Sequence, residues 1–311
     1  MKQIDRAIGL CRQLGPVFAC PVCHSPMRVG AASERSLTCA NHHCFDVSAK
    51  GYINLLLPNQ RRSSTPGYNA EMLRSRMAVM QLGLFDPLSQ AIAELIRNRT
   101  ASPRPPRTCM LLDVGCGEGH VLSAVMSHLR ADGDMRPLAI GLDISRHAIS
   151  MSCRHEGDML CCVANLATQL PFVTGAFQVV TNILAPSNPA EFRRVLGDGG
   201  VLLKVVPMRH HLAELRHALY ERPREHPCGA DEAVAELSGD FDVAAQRRLS
   251  YGRELPRDCI RDIIRMTSLF WKAKRQRIEA LERAGLTRLT VDLSIIVGIA
   301  RAAARLSPAR D

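Results

Sequence analysis

A doubly wound parallel α/β sheet is the fold class this sequence predicts, and three observations predict it. Short apolar runs alternate with helix-sized stretches from residue 106 onward. The first run, Met110 to Leu112, leads straight into Asp113 to Gly119, DVGCGEG. A second run, LAIGLDIS, carries Asp143, 24 residues beyond Gly119. Alternating strands and helices belong to a parallel sheet covered on both faces. Gly115, Gly117 and Gly119 let the chain turn sharply and approach a ligand where side chains would clash.

The predicted strands are Met110 to Val114, Leu138 to Asp143, Met159 to Ala164, Gln178 to Leu184 and Val201 to Val206. Arg146 to Cys153 and Ala190 to Leu196 are of helix size. Two further strands, Phe241 to Leu249 and Leu289 to Ile299, flank a helical Arg257 to Met266 and suit an antiparallel end to the sheet.

Ligands of such sheets bind beyond the carboxyl ends of the strands. The candidates there are Gly115 to Gly119, Asp143 with Ile144, Asn165 with Leu166, and Asn182 to Pro186. An acid ending the second strand can accept hydrogen bonds from both hydroxyls of a ribose, so Asp143 predicts a nucleoside-bearing cofactor. A dinucleotide site needs GxGxxG, with a pyrophosphate lying on the helix amino terminus. This chain has GxGxG instead, and Glu118 would repel a pyrophosphate. A sulfonium cofactor carries positive charge and no phosphate, so Asp113 and Glu118 favour S-adenosylmethionine. The expected fold is therefore a Rossmann-like, class I SAM-dependent methyltransferase. Asn165 is a candidate for the adenine edge, and equally a cap or turn residue.

Ahead of this lies a metal-ligating pattern: CPVC at Cys20 to Cys23, fifteen residues, then Cys39, His42, His43 and Cys44. Paired cysteines present two thiolates to one ion, and a second pair completes a tetrahedron, for which zinc is the expected metal. Spacing alone leaves His42, His43 and Cys44 open as the fourth ligand. A structural role is expected, because some forty residues build no core without a staple. Phe45, Val47, Ile53 and Leu55 alternate as strands closing a zinc ribbon would.

Twelve cysteines, no secretory signal and no apolar segment of membrane-spanning length predict a cytoplasmic protein with reduced thiols. The formal charge is +10. Residues 58–107 hold eight arginines against three acids, and residues 246–288 hold twelve Lys or Arg against five acids. Such patches suit a polyanion such as RNA, or form a solvated basic surface. Aromatics are 4% of the chain and Trp271 is the only tryptophan.

Pro58 to Asn69 is a polar linker or RNA-facing loop with Arg61 and Arg62, and Glu71 to Arg99 is helical. Met72, Met77, Met80, Leu82 and Leu84 suit a methionine-rich core helix better than a cofactor box. Ser102 to Arg107 breaks the pattern before the first strand. The division is an N-terminal extension (1–17), a zinc-binding domain (18–57), a linker and helical segment (58–105), the methyltransferase domain (106–301) and a tail (302–311).

The two modules together resemble the RlmA family of bacterial 23S rRNA guanine-N1 methyltransferases, which includes the tylosin-resistance enzymes. The stretches that carry the resemblance are CPVCHSPM, CFDVSAKGYINLLLP, PGYNAEM, LDVGCGEGH, GLDISRHAI, LAPSNPAEFRRVL, RHHLAEL and MTSLFW. The zinc module with GYINLL after it is far more specific than the glycine motif. The resemblance implies Cys20, Cys23, Cys39 and His43 as metal ligands, leaving Cys44 outside. It implies cofactor contacts at Gly117, Glu118, Asp143, Phe85 and His211. The chain departs from relatives with Phe85 in place of tyrosine and Tyr68 in place of an acid.

The implied reaction methylates N1 of a guanine in a hairpin loop of 23S rRNA. Neutral N1 carries a proton, so a base or a pocket stabilising the O6 anion is required. No residue is identified as that base; the segment from Asn182 to Pro186 is expected to border the methyl, with Asn182 or backbone carbonyls orienting the nucleobase. The target should be unpaired or flipped. Trp271 or Phe270 are candidates to stack on it, although burial is the commoner use of such rings. Other readings are methylation of another RNA or a small molecule, and a noncatalytic zinc-dependent RNA-binding protein. The oligomeric state, with a homodimer among the expected forms, is left open by the sequence.

Overall fold

The computed structural model describes residues 2–30, 34–60, 69–100, 108–131, 133, 135–155, 157–221 and 229–302. Helix α1 (Gln3–Leu14) comes first, with Asp5 in its first turn and Arg12 in its last, charges that complement the helix dipole. It buries Ala7, Ile8, Leu10 and Cys11. The N-terminal extension of the sequence reading is thus mostly an amphipathic helix docked on the core. Strands β1 (Met27–Val29), β2 (Ser36–Cys39) and β3 (Cys44–Asp46) form a small antiparallel sheet.

β4 (Tyr52–Asn54) does not join that sheet. GYINLL leaves the ribbon, with only a Val47 to Ile53 bridge retained, and pairs in parallel with a strand more than 100 residues later. The alternation of Phe45, Val47, Ile53 and Leu55 is real, but the chain turns at Gly51 (φ +81°) and spends its second half on the larger sheet.

Two helices follow where one helical segment was expected: α2 (Ala70–Gln81) and α3 (Asp86–Thr100). Asn69 caps the first, its Oδ1 accepting from the Met72 amide at 2.9 Å. Gly83, at φ +78°, ends the helical run, because a left-handed residue there cannot continue it.

The large sheet contains β5 (Thr108–Val114), β6 (Arg136–Asp143), β7 (Met159–Val163), β8 (Phe177–Ile183), β9 (Leu196–Pro207), β10 (Phe241–Glu254) and β11 (Arg288–Ala300), together with β4. Its order is β10-β11-β9-β8-β5-β6-β7-β4, parallel except for the antiparallel β9, β11 and β10 end. Between the strands run α4 (His120–Ala131), α5 (Arg146–Ser152), α6 (Pro189–Val195), α7 (Ala213–Leu219) and α8 (Gly229–Leu237). Between β10 and β11 lie a 3-10 turn at Arg257–Cys259, α9 (Ile260–Arg265), a second 3-10 turn at Ser268–Lys272, and α10 (Arg275–Ala284).

β5 shows the pattern of the whole: Cys109 and Leu111 face one core, Leu112 and Val114 the other. One face packs on α2, α3, α4, α7 and α9. The other packs on α1, α6, α8 and the small sheet, whose Met27 and Leu37, together with Phe18 ahead of the sheet, share a core with Phe172 and Phe177. The loop with Arg61, Arg62 and Tyr68, the Ser102 to Arg107 break and the tail from 303 lie outside the described residues.

Candidate active site and metal centre

A cavity of about 840 Å³ opens at the carboxyl ends of β5, β6, β8 and β9. That is the position a parallel sheet offers to ligands, and the volume suits a small molecule. Of the residues expected at the cofactor, Phe85, Gly115, Gly117, Asp143, Ile144, Asn165 and His211 line it. Asp113, Glu118 and Gly119 stand behind the wall.

The glycines serve different ends. A side chain at Gly115 would strike Ala185 Cβ at 2.5 Å, and one at Gly119 would strike Ser152 Oγ at 2.2 Å, so both are fixed by protein packing. Gly117, at φ +57°, would meet nothing within 4 Å and alone faces open space. The Asp143 carboxylate accepts from the Gly117 amide at 3.0 Å and the Ser145 amide at 2.8 Å. A carboxylate has about four acceptor positions, so two remain for a diol. Its enclosure raises its proton affinity, and the two amides act the other way. Asp113 accepts from Thr181 Oγ1 at 2.8 Å, and burial pushes its carboxyl up to about 7. It braces β5 to β8 rather than meeting the cavity.

Glu118 corrects the charge argument made from the sequence. Its carboxylate is buried and held by Arg76 Nε at 3.0 and 3.2 Å, and the residue is not part of the cavity lining. The charge that the cavity meets at this corner is therefore Arg76, from α2. Asn165 is also committed locally: its Oδ1 accepts from the Ala167 amide at 2.9 Å and its Nδ2 donates to the Gln60 carbonyl at 3.2 Å. It shapes the wall as an Asx turn.

Phe85 and His211 stack with ring centroids 6.4 Å apart. The Asp292 amide donates to His211 Nδ1 at 3.4 Å, which makes Nε2 the hydrogen-bearing atom of the neutral ring. Asp292 also accepts from the His210 amide at 3.1 Å and from Arg248 at 2.9 and 3.1 Å, tying the histidine's loop to β10 and β11.

Asn182 does not reach the cavity. It is fully buried, donating to the Val114 carbonyl at 2.8 Å and the Pro186 carbonyl at 3.1 Å. What lines the wall instead is Lys204 on β9, whose Nζ donates to Asn182 Oδ1 at 2.5 Å and the Ala185 carbonyl at 2.7 Å. Burial lowers its proton affinity, to about 8. Lys204 belongs to none of the motifs, yet the signal was present: a lysine inside VLLKVV, an otherwise apolar strand. Leu184, held at φ +52°, makes the neighbouring turn a strained one.

Met266, Thr267, Leu269 and Trp271 form the opposite wall. Trp271 is 58% exposed, against the expectation that its ring belongs in the core. Met80 confirms the core reading of the methionine helix while also touching the cavity.

On the far face, one donor atom each from Cys20, Cys23, Cys39 and His43 lie within 4.8 Å of one another. Cys23 and Cys39 sulfurs are 3.7 Å apart, and His43 Nδ1 is 3.5 Å from Cys20 and 3.4 Å from Cys39. A tetrahedron of Zn–S bonds has edges of about 3.8 Å, so the thiolate and imidazole donors fit zinc. Cys44 lies outside, exposed, with Thr38 Oγ1 at 3.8 Å.

A family model described as RlmA, N-terminal, a zinc ribbon, matches residues 18–65. A Bacillus subtilis (strain 168) protein provisionally named 23S rRNA (guanine-N(1)-)-methyltransferase YxjB is 35% identical over 285 residues, 91% of this chain and 97% of its own. The 23S rRNA (guanine(748)-N(1))-methyltransferase of Streptomyces fradiae is 31% identical over 89% of this chain and 95% of its own length.

Proposed function

The chain belongs to the 23S rRNA (guanine-N1)-methyltransferase family, and from that premise we propose that it methylates N1 of a guanine in a hairpin loop of 23S rRNA. Its cofactors are S-adenosylmethionine and zinc. We assign the diol of the cofactor to Asp143, its nucleoside to the wall of Ile144 and Asn165, and its charged amino-acid end to the region of Gly117, Arg76 and His211. The zinc ligands on this reading are Cys20, Cys23, Cys39 and His43.

The observation that carries the reading of the chemistry is the capture of Asn182 Oδ1 and the Ala185 carbonyl by Lys204. Lys204 lines the cavity wall and is held there by these two oxygens, so the wall carries a cation at this point. A cation suits a substrate that becomes negative, as guanine does at O6 when N1 loses its proton. When bound, adenosylmethionine supplies an electrophilic methyl group. Lys204 stabilises the O6 charge while the N1 proton passes to solvent and the freed N1 electron pair accepts the methyl. Asp143, Gly117 and Ile144 would hold the cofactor, whose methyl would leave a neutral thioether behind as the N–C bond forms.

Among the described residues no helix is long and apolar enough to cross a membrane. The proposed substrate is a cytoplasmic RNA, and the cytoplasm is the compartment that follows from it. The reading is tested by incubating the protein with labelled adenosylmethionine and unmodified 23S rRNA. Primer extension and nucleoside mass spectrometry should find N1-methylguanosine at one loop position. Cofactor binding without label in RNA would overturn it.

A further inference from the structure

Three large apolar side chains stand out to solvent among the described residues, Val22, Val243 and Trp271, and only Trp271 also lines the cavity. The turn that carries it is firmly held. Thr267 Oγ1 accepts from the Leu269 amide at 3.3 Å, and the Tyr220 hydroxyl donates to the Leu269 carbonyl. Leu269 and Phe270 pack on the core, and Phe270 meets the indole edge-on at 6.3 Å. Anchoring two of three consecutive apolar residues while turning the third outward presents the indole at little conformational cost.

The surroundings select the occupant. Lys272 is exposed and enters no ion pair among the described residues. The segment 246–288 carries twelve cationic residues against five acids; seven of the twelve are held in ion pairs, and Lys272, next to the indole in the chain, is not one of them. A polyanion whose unpaired rings stack on aromatic faces meets both conditions, and a single-stranded RNA loop is such a partner.

We infer that Trp271 is the stacking platform on which the unpaired guanine of the RNA substrate is received at the cavity mouth. The inference rests on the RNA methylation reading and names the residue that admits the base. Because Trp271 is the sole tryptophan, fluorescence excited beyond the absorption of the four tyrosines reports on this position alone.

The test titrates the holoprotein with unmodified 23S rRNA transcript and with a blunt RNA duplex. It then compares W271A and W271F in steady-state methylation and in cofactor binding. Stacking predicts quenching by the transcript and none by the duplex. It also predicts a KM for RNA roughly 5- to 150-fold higher in W271A, a smaller change in W271F, and unchanged cofactor affinity. Unmoved fluorescence on RNA binding, or a W271A KM within about twofold of the parent, overturns the inference. So does a matching loss of cofactor affinity in W271A, which would make the indole part of the cofactor wall. Selective quenching without methyl transfer would sink the reaction reading and leave the stacking supported.

Discussion

Arg76 Nε grips both oxygens of Glu118, at 3.2 and 3.0 Å, joining α2 to the glycine turn that follows β5. The glutamate is 2% exposed and the arginine 22%. R76M would leave a carboxylate buried without its partner, a loss of about 3–5 kcal/mol. Urea denaturation should register that loss, and calorimetry should show weakened adenosylmethionine binding. Wild-type stability in R76M would remove the pair from the folding account.

Asp143 should be intolerant even of an isosteric change. In D143N the new amide places a donor against the Gly117 or Ser145 amide, which now donate to the carboxylate. The bonds that the diol would make to the charged carboxylate, at about 1.5–3 kcal/mol each, are weakened or lost, which predicts a cofactor affinity lower by at least 100-fold. Titration calorimetry of D143N and D143A checks this.

Gly117 and Gly119 should fail in different ways. G119A drives a methyl to 2.2 Å from Ser152 Oγ and should lower the melting temperature markedly. G117A has room but must hold φ near +57°, costing about 1–2 kcal/mol, and it places a methyl in the cavity. A folded G117A that no longer binds adenosylmethionine is the expected outcome, and differential scanning calorimetry with and without cofactor separates the two.

Lys204 gives the reaction a pH signature. Its folded proton affinity lies near 8 because burial penalises the ammonium. A step that needs the charged form runs fully below that value and declines as pH rises through it. K204M should reduce kcat by roughly 100- to 1000-fold with cofactor affinity preserved. K204R, charged over the whole accessible range, should show no decline near pH 8 in whatever activity remains. A K204M enzyme with the parent kcat would contradict the assignment.

Metal removal should be felt beyond the ribbon. One zinc per chain is expected by elemental analysis, with C23S or C39S losing it and C44S retaining it, as Cys44 stands outside the cluster. Loss of the ion should lower the melting temperature of the entire chain, since Phe18 and Leu37 share a core with Phe172.

The parallel sheet, its glycine turn and the acid after β6 were legible because each rests on local chemistry: apolar runs, left-handed glycines and a carboxylate two residues before Ser145. Lys204 was harder, since a lysine in a strand acquires meaning only when Asn182 on β8 arrives beside it. The charge argument built on Glu118 failed for the same reason. The glutamate's partner lies 42 residues earlier, on the helical segment that precedes the glycine turn, and no local pattern ties the two together. The role of Tyr52 to Asn54 was hidden because its hydrogen-bonding partner is Cys161 to Val163, and no periodicity reveals a pairing at that distance.

That pairing gives β4 a protective office. An open parallel sheet ends in a row of unsatisfied amides and carbonyls, ready to recruit a strand from another molecule. In this chain β4 sits over the β7 edge, and it is tethered to the metal-binding hairpins only a few residues before it. A molecule stripped of its ion would loosen its own edge guard, and its characteristic failure would be association between copies rather than quiet local unfolding.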